Sequence, residues 1–318
     1  MRAIGRGLVI ACFILAPAVA GEPVVPPWAY VVTPPRDPNT PQPAPDPTPR
    51  ALPGTDVTFT ATQMRDLFNV PDWYPTDHPA MPEVVAHGRK PGVFACGYCH
   101  LPNGLGRPEN ASLAGLPAAY IIQQLSDFKS GARKAVQPNL VPQVMMASIG
   151  VHAADDDVRA AAAYFAALKL RPWIRVIEAD TVPKTRVGGA MLVALADGVE
   201  PIGTRIIEVP ENTERTELRD SKSGFIAYVP KGSLKKGEAL VTAAKPVACT
   251  TCHGADLRGI GPVPPLAGRS PSYLFRQLND LKAGNRAGDW SGLMKNAVAG
   301  LSEKDMVNIV AYAASRAP

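Results

Sequence analysis

The sequence has 318 residues, of which 46% are hydrophobic and 19% charged, with a formal charge of +5. These values exclude a disordered polyelectrolyte and a multi-span membrane protein, and so mild a charge makes no case for nucleic-acid binding. The five cysteines are an odd number, which argues against a closed disulfide framework, and four of them fall in two tight pairs.

Residues 1–20 carry Arg2 and Arg6, then a short apolar run from Leu8, then Ala18-Val19-Ala20. This is the pattern of a secretory signal peptide cleaved after Ala20; the run is too short to span a bilayer. Its loss would remove Cys12 and leave four cysteines in the mature chain. Residues 21–55 hold 12 of the 34 prolines and predict an extended polyproline-type segment, either a disordered leader or a docking arm.

Residues 56–170 read as helical. Helices are expected over 82–87, over 116–131 with Tyr120, Ile121, Leu125 and Phe128 at helical spacing, and over 155–170 behind three aspartates. Residues 171–232 change character. Short apolar runs at 173–179, 190–196, 205–209 and 225–229 predict strands, with turns at Asp197-Gly198, Glu211-Asn212 and Ser223-Gly224 and an exposed charged loop over 211–222. Residues 233–318 return to helix, at 233–242, 271–284 and 302–315, the last opened by a serine cap.

The two helical regions are copies. At a constant offset of 153, His100 aligns with His253, Tyr120 with Tyr273, Gln124 with Gln277, Asp127 with Asp280 and Gly131 with Gly284. Past a five-residue slip, Met146 aligns with Met294, Asp157 with Asp305 and Tyr164 with Tyr312. The expected fold is therefore mainly α: a duplicated helical unit, 56–170 and 233–318, with a small β-rich insertion over 171–232.

Each copy contains a Cys-x-x-Cys-His segment, Cys96-Gly97-Tyr98-Cys99-His100 and Cys249-Thr250-Thr251-Cys252-His253. Two intervening residues set the thiols at the separation of the two vinyl groups of haem, and the histidine that follows lies under the iron. Two such segments at matching repeat positions predict two covalently attached haem c groups, with His100 and His253 as the iron's proximal ligands. A sixth ligand is needed if the iron only carries electrons. Met146 and Met294 occupy equivalent positions, expected in the loop before each C-terminal helix; Met145, His78, His87 and His152 are further candidates at the first haem. A backbone carbonyl near Pro108 or Pro262 is expected to accept the proximal imidazole N–H.

These motifs, with the Leu-Ala-Gly segments at 113–115 and 266–268, resemble the class I cytochromes c, in particular two-domain dihaem carriers of the cytochrome c4 kind. The resemblance implies two small helical domains facing each other across a pseudo-twofold axis, each around one haem. It implies one-electron transfer in a bacterial periplasm, between a dehydrogenase or quinol-oxidising complex and a terminal oxidase. The ~60-residue insertion and the proline-rich leader are additions to that pattern. The other reading is an enzyme, a dihaem peroxidase with one open iron or a thiosulfate-oxidising protein. With all four mature cysteines committed to haem, none is spare to serve as an unusual ligand.

Overall fold

A computed structural model of the chain describes residues 25–35, 37–41, 44–243 and 247–318. The expected signal peptide at 1–20 lies outside them. In chain order the described elements begin with a two-stranded hairpin, β1 (Arg50–Ala51) and β2 (Thr58–Phe59). A first helical unit follows: α1 (Glu83–Ala86), α2 (Cys96–His100), α3 (Ala118–Lys129), α4 (Val141–His152) and α5 (Asp155–Ala167). Next come β3 (Ile174–Ala179), β4 (Thr181–Gly188), β5 (Met191–Pro201), β6 (Ile207–Pro210), α6 (Thr213–Glu217) and β7 (Phe225–Pro230). The second unit is α7 (Ser233–Thr242), α8 (Cys249–His253), α9 (Pro271–Lys282), α10 (Ser291–Val298) and α11 (Glu303–Ser315). Among the described residues no helix is long and apolar enough to cross a membrane.

Local chemistry explains the helix ends. Gly131 and Gly284 adopt φ of 73° and 78° just past α3 and α9, a conformation that a Cβ resists. The Ser270 hydroxyl accepts the Tyr273 N–H at the start of α9, and Ser302 and Asp305 form a reciprocal capping box on α11. The repeat register survives in three dimensions: α2, α3, α4 and α5 correspond to α8, α9, α10 and α11. In the first unit α3 packs on α4 and α5; in the second, α9 packs on α10 and α11.

The strands between the units form two sheets. One has the order β3-β7-β6, with β3 parallel and β6 antiparallel to β7. Along β7, Phe225, Ala227 and Val229 alternate inward, the period-2 pattern of a half-buried strand. The inward side chains of β6 and β7, including Val209 and Val229, join Phe275, Met306 and Val310 in the core of the second unit. At the other edge Trp173, Phe225, Met191 and Val193 cluster with Leu105 of the first unit. The segment is thus wedged against both units.

Four local expectations are corrected. The Asp197-Gly198 pair is not a turn: β5 runs through it, and the register with β4 shifts between Pro183 and Thr185. Gly198, at φ 91°, absorbs the extra residues as a bulge. Strand β4 itself was not foreseen, because Pro183, Lys184 and Arg186 break its apolar pattern. Residues 211–222 are not an exposed loop. They contain α6, capped by Asn212, and bury Thr216, Leu218, Asp220 and Ser221. Finally, the proline-rich leader is not extended throughout. Residues 26–30 turn, and Trp28, Ala29 and Tyr30 insert into the core of the second unit.

Candidate haem-binding sites

Both Cys-x-x-Cys-His segments form single helical turns, α2 and α8, that end in the same backbone conformation. Leu101 has φ 63° and ψ 154°, and Gly254 has φ 85° and ψ 155°. Glycine adopts that region freely, whereas Leu101 holds it at a cost on the order of 1–3 kcal/mol. The turn sends the chain back over the histidine ring. His100 Nδ1 then lies 2.8 Å from the Ala111 carbonyl, and His253 Nδ1 lies 2.8 Å from the Pro264 carbonyl. The acceptors are thus a few residues beyond Pro108 and Pro262, at the same separation from each histidine. Burial lowers both imidazole pKa values. Each ring is therefore neutral, with Nδ1–H donating and Nε2 left with a free lone pair.

At the first site that lone pair borders a cavity of about 320 Å³. Cys96, Cys99 and His100 line it together with Met145 and Met146. His78, His87 and His152 do not: they bond to the Pro79 carbonyl, the Asn69 side chain and the Ser148 carbonyl respectively. The methionines lie within α4, and Met294 lies half-buried within α10, rather than in loops as expected. Burial pushes the Cys96 thiol up to about 12 and also raises Cys99 and Cys249. At the second site, His253 Nε2 is buried without any partner. An orphaned imidazole nitrogen in an apolar surround is costly unless something ligates it. Thiol pairs, orphaned or cavity-facing imidazoles and, at the first site, cavity-lining thioethers make a donor set that fits covalent haem.

The units meet through a symmetric polar network that sequence reading passed over. Arg133 donates to Gln124 Oε1 at 2.8 Å, and to the Tyr273 hydroxyl and Gln277 Oε1 at 3.0 Å each. Arg286 donates to Gln124 Oε1 at 2.7 Å, to Gln277 Oε1 at 3.3 Å and to the Tyr120 hydroxyl at 3.4 Å. Backbone bonds from Lys134 to Asn285 and from Ala287 to Ala132, both 2.7 Å, join the two segments. Both guanidiniums are buried and these side-chain partners are neutral; Arg286 Nε has none. Two like charges held so close fit an anionic group between them. The signal was present, since Arg133 and Arg286 continue the 153-residue offset two positions beyond Gly131 and Gly284.

Other missed residues come from outside both units. Arg219, just after α6, lines the first cavity, as do Thr33 of the leader and Gly189 at the β4–β5 tip. Thr33 Oγ1 donates to the Gly189 carbonyl at 2.7 Å. Tyr164 is 6% exposed and its hydroxyl donates to the Pro102 carbonyl at 2.6 Å.

Comparisons with known proteins bear on these sites. A family model described as cytochrome c matches residues 234–316. The chain is 36% identical over 81 residues to cytochrome c-554(548) of Halomonas halodenitrificans, covering 25% of this chain and 98% of that one. It is 26% identical over 231 residues to a thiosulfate dehydrogenase electron acceptor of Stutzerimonas stutzeri, covering 72% of this chain and 82% of that protein. It is 25% identical over 232 residues to a cytochrome c4 of Stutzerimonas stutzeri, covering 69% and 83% respectively.

Proposed function

We propose, from the premise that this chain belongs to the cytochrome c family as a two-haem, cytochrome c4-like member, how its residues serve the transfer of single electrons. The observation that carries the reading is the duplicated His100 and His253 geometry, each imidazole tied at 2.8 Å to a carbonyl within a Cys-x-x-Cys-His turn. When bound, haem c supplies a one-electron ferric/ferrous couple. Cys96, Cys99, Cys249 and Cys252 hold the two groups covalently. His100 and His253 would present Nε2 to iron, and the carbonyls of Ala111 and Pro264 would fix the ring orientation and raise its basicity.

Met146 and Met294 are proposed as the further residues that would hold iron. Their thioethers would favour the ferrous state and, together with the histidines, would leave the iron no place for peroxide or another substrate. Arg133 and Arg286 are proposed to face the haem carboxylates where the units meet. Residues 56–170 and 233–318 are read as the two cytochrome units, with 171–232 inserted between them and 21–55 as a proline-rich leader. The export signal at 1–20 and the covalent attachment support a periplasmic location. The relative named as an electron acceptor for thiosulfate dehydrogenase supports a dehydrogenase of that kind as donor. A quinol-oxidising complex is a second donor, and a terminal oxidase is the acceptor.

The test is spectroscopic. The oxidised protein is expected to show two low-spin haems and the weak sulfur-to-iron absorption band. Met146→Ala and Met294→Ala are each expected to remove about half of that band. One high-spin haem in the unsubstituted protein would overturn the carrier reading in favour of an enzyme with an open iron.

A further inference from the structure

Arg219 belongs to the segment between the units, yet its guanidinium reaches the first haem-binding turn. It stacks 3.6 Å from the centroid of the Tyr98 ring and donates to the Tyr98 carbonyl at 2.8 Å. Tyr98 immediately precedes Cys99, and Arg219 lines the same cavity as Cys96, Cys99 and His100. The backbone is committed to this placement. Arg219 has φ 57°, its N–H donates to the Thr216 carbonyl at 3.0 Å, and the adjoining Leu218 carbonyl accepts the Trp73 indole N–H at 2.7 Å. An ordinary surface arginine is not held in a left-handed conformation between two such anchors.

Among the described residues no carboxylate pairs with this charge, although Arg107 and Glu109 both act on it through space. Of the other ionic groups lining that cavity, Arg107 is paired with Glu109, and Asp157 is paired with Arg89. Asp220, next in sequence, is taken by Arg215 at 2.5 Å. Among the described residues Arg219 has no ion pair of its own. The second unit offers no equivalent among the described residues. The register replaces Tyr98 by Thr251, Arg107 by Ile260 and Glu109 by Pro262. Arg258, five residues past His253, is exposed and donates to the Ala317 carbonyl.

We infer that Arg219 is a potential-setting residue: its fixed charge favours the reduced form of the first haem and so raises that haem's reduction potential. A cation beside the site opposes the extra positive charge of ferric iron, and partial burial keeps water and salt from screening it. The inference rests on the two-haem carrier reading.

Redox titration of the full haem-loaded protein tests it, with the two midpoints assigned by NMR of the haem methyl signals. Arg219→Gln and Arg219→Met are expected to lower the first haem's reduction equilibrium constant at least tenfold, 59 mV for one electron, and to leave the second unchanged. Arg219→Lys is expected to keep the unsubstituted midpoints, because it keeps the charge and loses only the stacked fork. Unchanged midpoints in both uncharged variants overturn the inference. So does a lysine variant that shifts as far as glutamine, which would make packing the cause. A high-spin haem in the unsubstituted protein fails the carrier reading alone, since the Arg219 shift is read separately.

Discussion

Glu208 of β6 is 3% exposed, and its Oε2 accepts the Ser270 hydroxyl at 2.7 Å and the Ser272 N–H at 3.2 Å, at the start of α9. Its other oxygen, Oε1, has no partner. Burial outweighs these bonds and raises the carboxyl pKa above the ordinary 4.5. The folded chain therefore holds this proton more tightly than the unfolded one. The associated stability is fully present below 4.5 and is lost as pH rises toward the raised value. Glu208→Gln removes the titration. Urea unfolding from pH 4.5 to neutrality is expected to show a shallower loss of stability in the variant than in the parent; parallel curves would contradict this assignment. The same residue scale contains the residues proposed to hold haem. Cys96, Cys99, His100, Cys249, Cys252 and His253 are legible in the sequence because the chemistry demands contiguous residues.

At the scale of elements, α5 and α11 are repeat equivalents with unequal ends. Ser302 caps α11 through a reciprocal bond with Asp305, whereas Ala154 stands at the equivalent N-cap of α5 and provides no side-chain acceptor. Ala154 already has the extended cap conformation, φ −72° and ψ 149°, and is exposed. Asp157 stands where Asp305 does, although Arg89 holds it at 3.0 Å. Ala154→Ser is expected to raise stability by about 0.5–1 kcal/mol, read from the midpoint of chemical unfolding. No gain would mean that the three acidic residues of the first turn already satisfy that helix end.

On the scale of the molecule, the leader and the inserted segment add to the direct contacts between the two units. Trp28 packs against Phe275 in a tilted pair, with ring centroids 4.6 Å apart. The Tyr30 hydroxyl donates to Asp280 at 2.8 Å and accepts from Asn279 at 2.9 Å, and Arg276 donates to the Ala29 carbonyl at 2.8 Å. These contacts make residues 26–31 part of the second unit's core, although some 200 residues separate them from α7. Trp28→Ala is expected to cost about 3–5 kcal/mol and to expose the leader to limited proteolysis. An unchanged unfolding midpoint with a protected leader would show that the indole is not the anchor.

The sequence by itself determined the two haem attachments, the duplication, and the helices with marked ends, such as α7 at 233–242 and α9 from Pro271. Each of these is written in residues close along the chain: a five-residue motif, a 3.6-residue period, a capping serine, a terminal glycine. Tertiary structure alone decided that Trp28 and Tyr30 fill a core, that residues 211–222 pack beneath the first haem turn, and that Arg219 reaches its cavity. It also placed Met146 and Met294 on helices, where the apolar run of α4 shows no amphipathic period to announce it. The Tyr30 hydroxyl meets Asp280 across 250 residues, and the Trp73 indole meets Leu218 across 145. Contacts at such separations have no period, so their partners are chosen only when burial brings both surfaces out of water together.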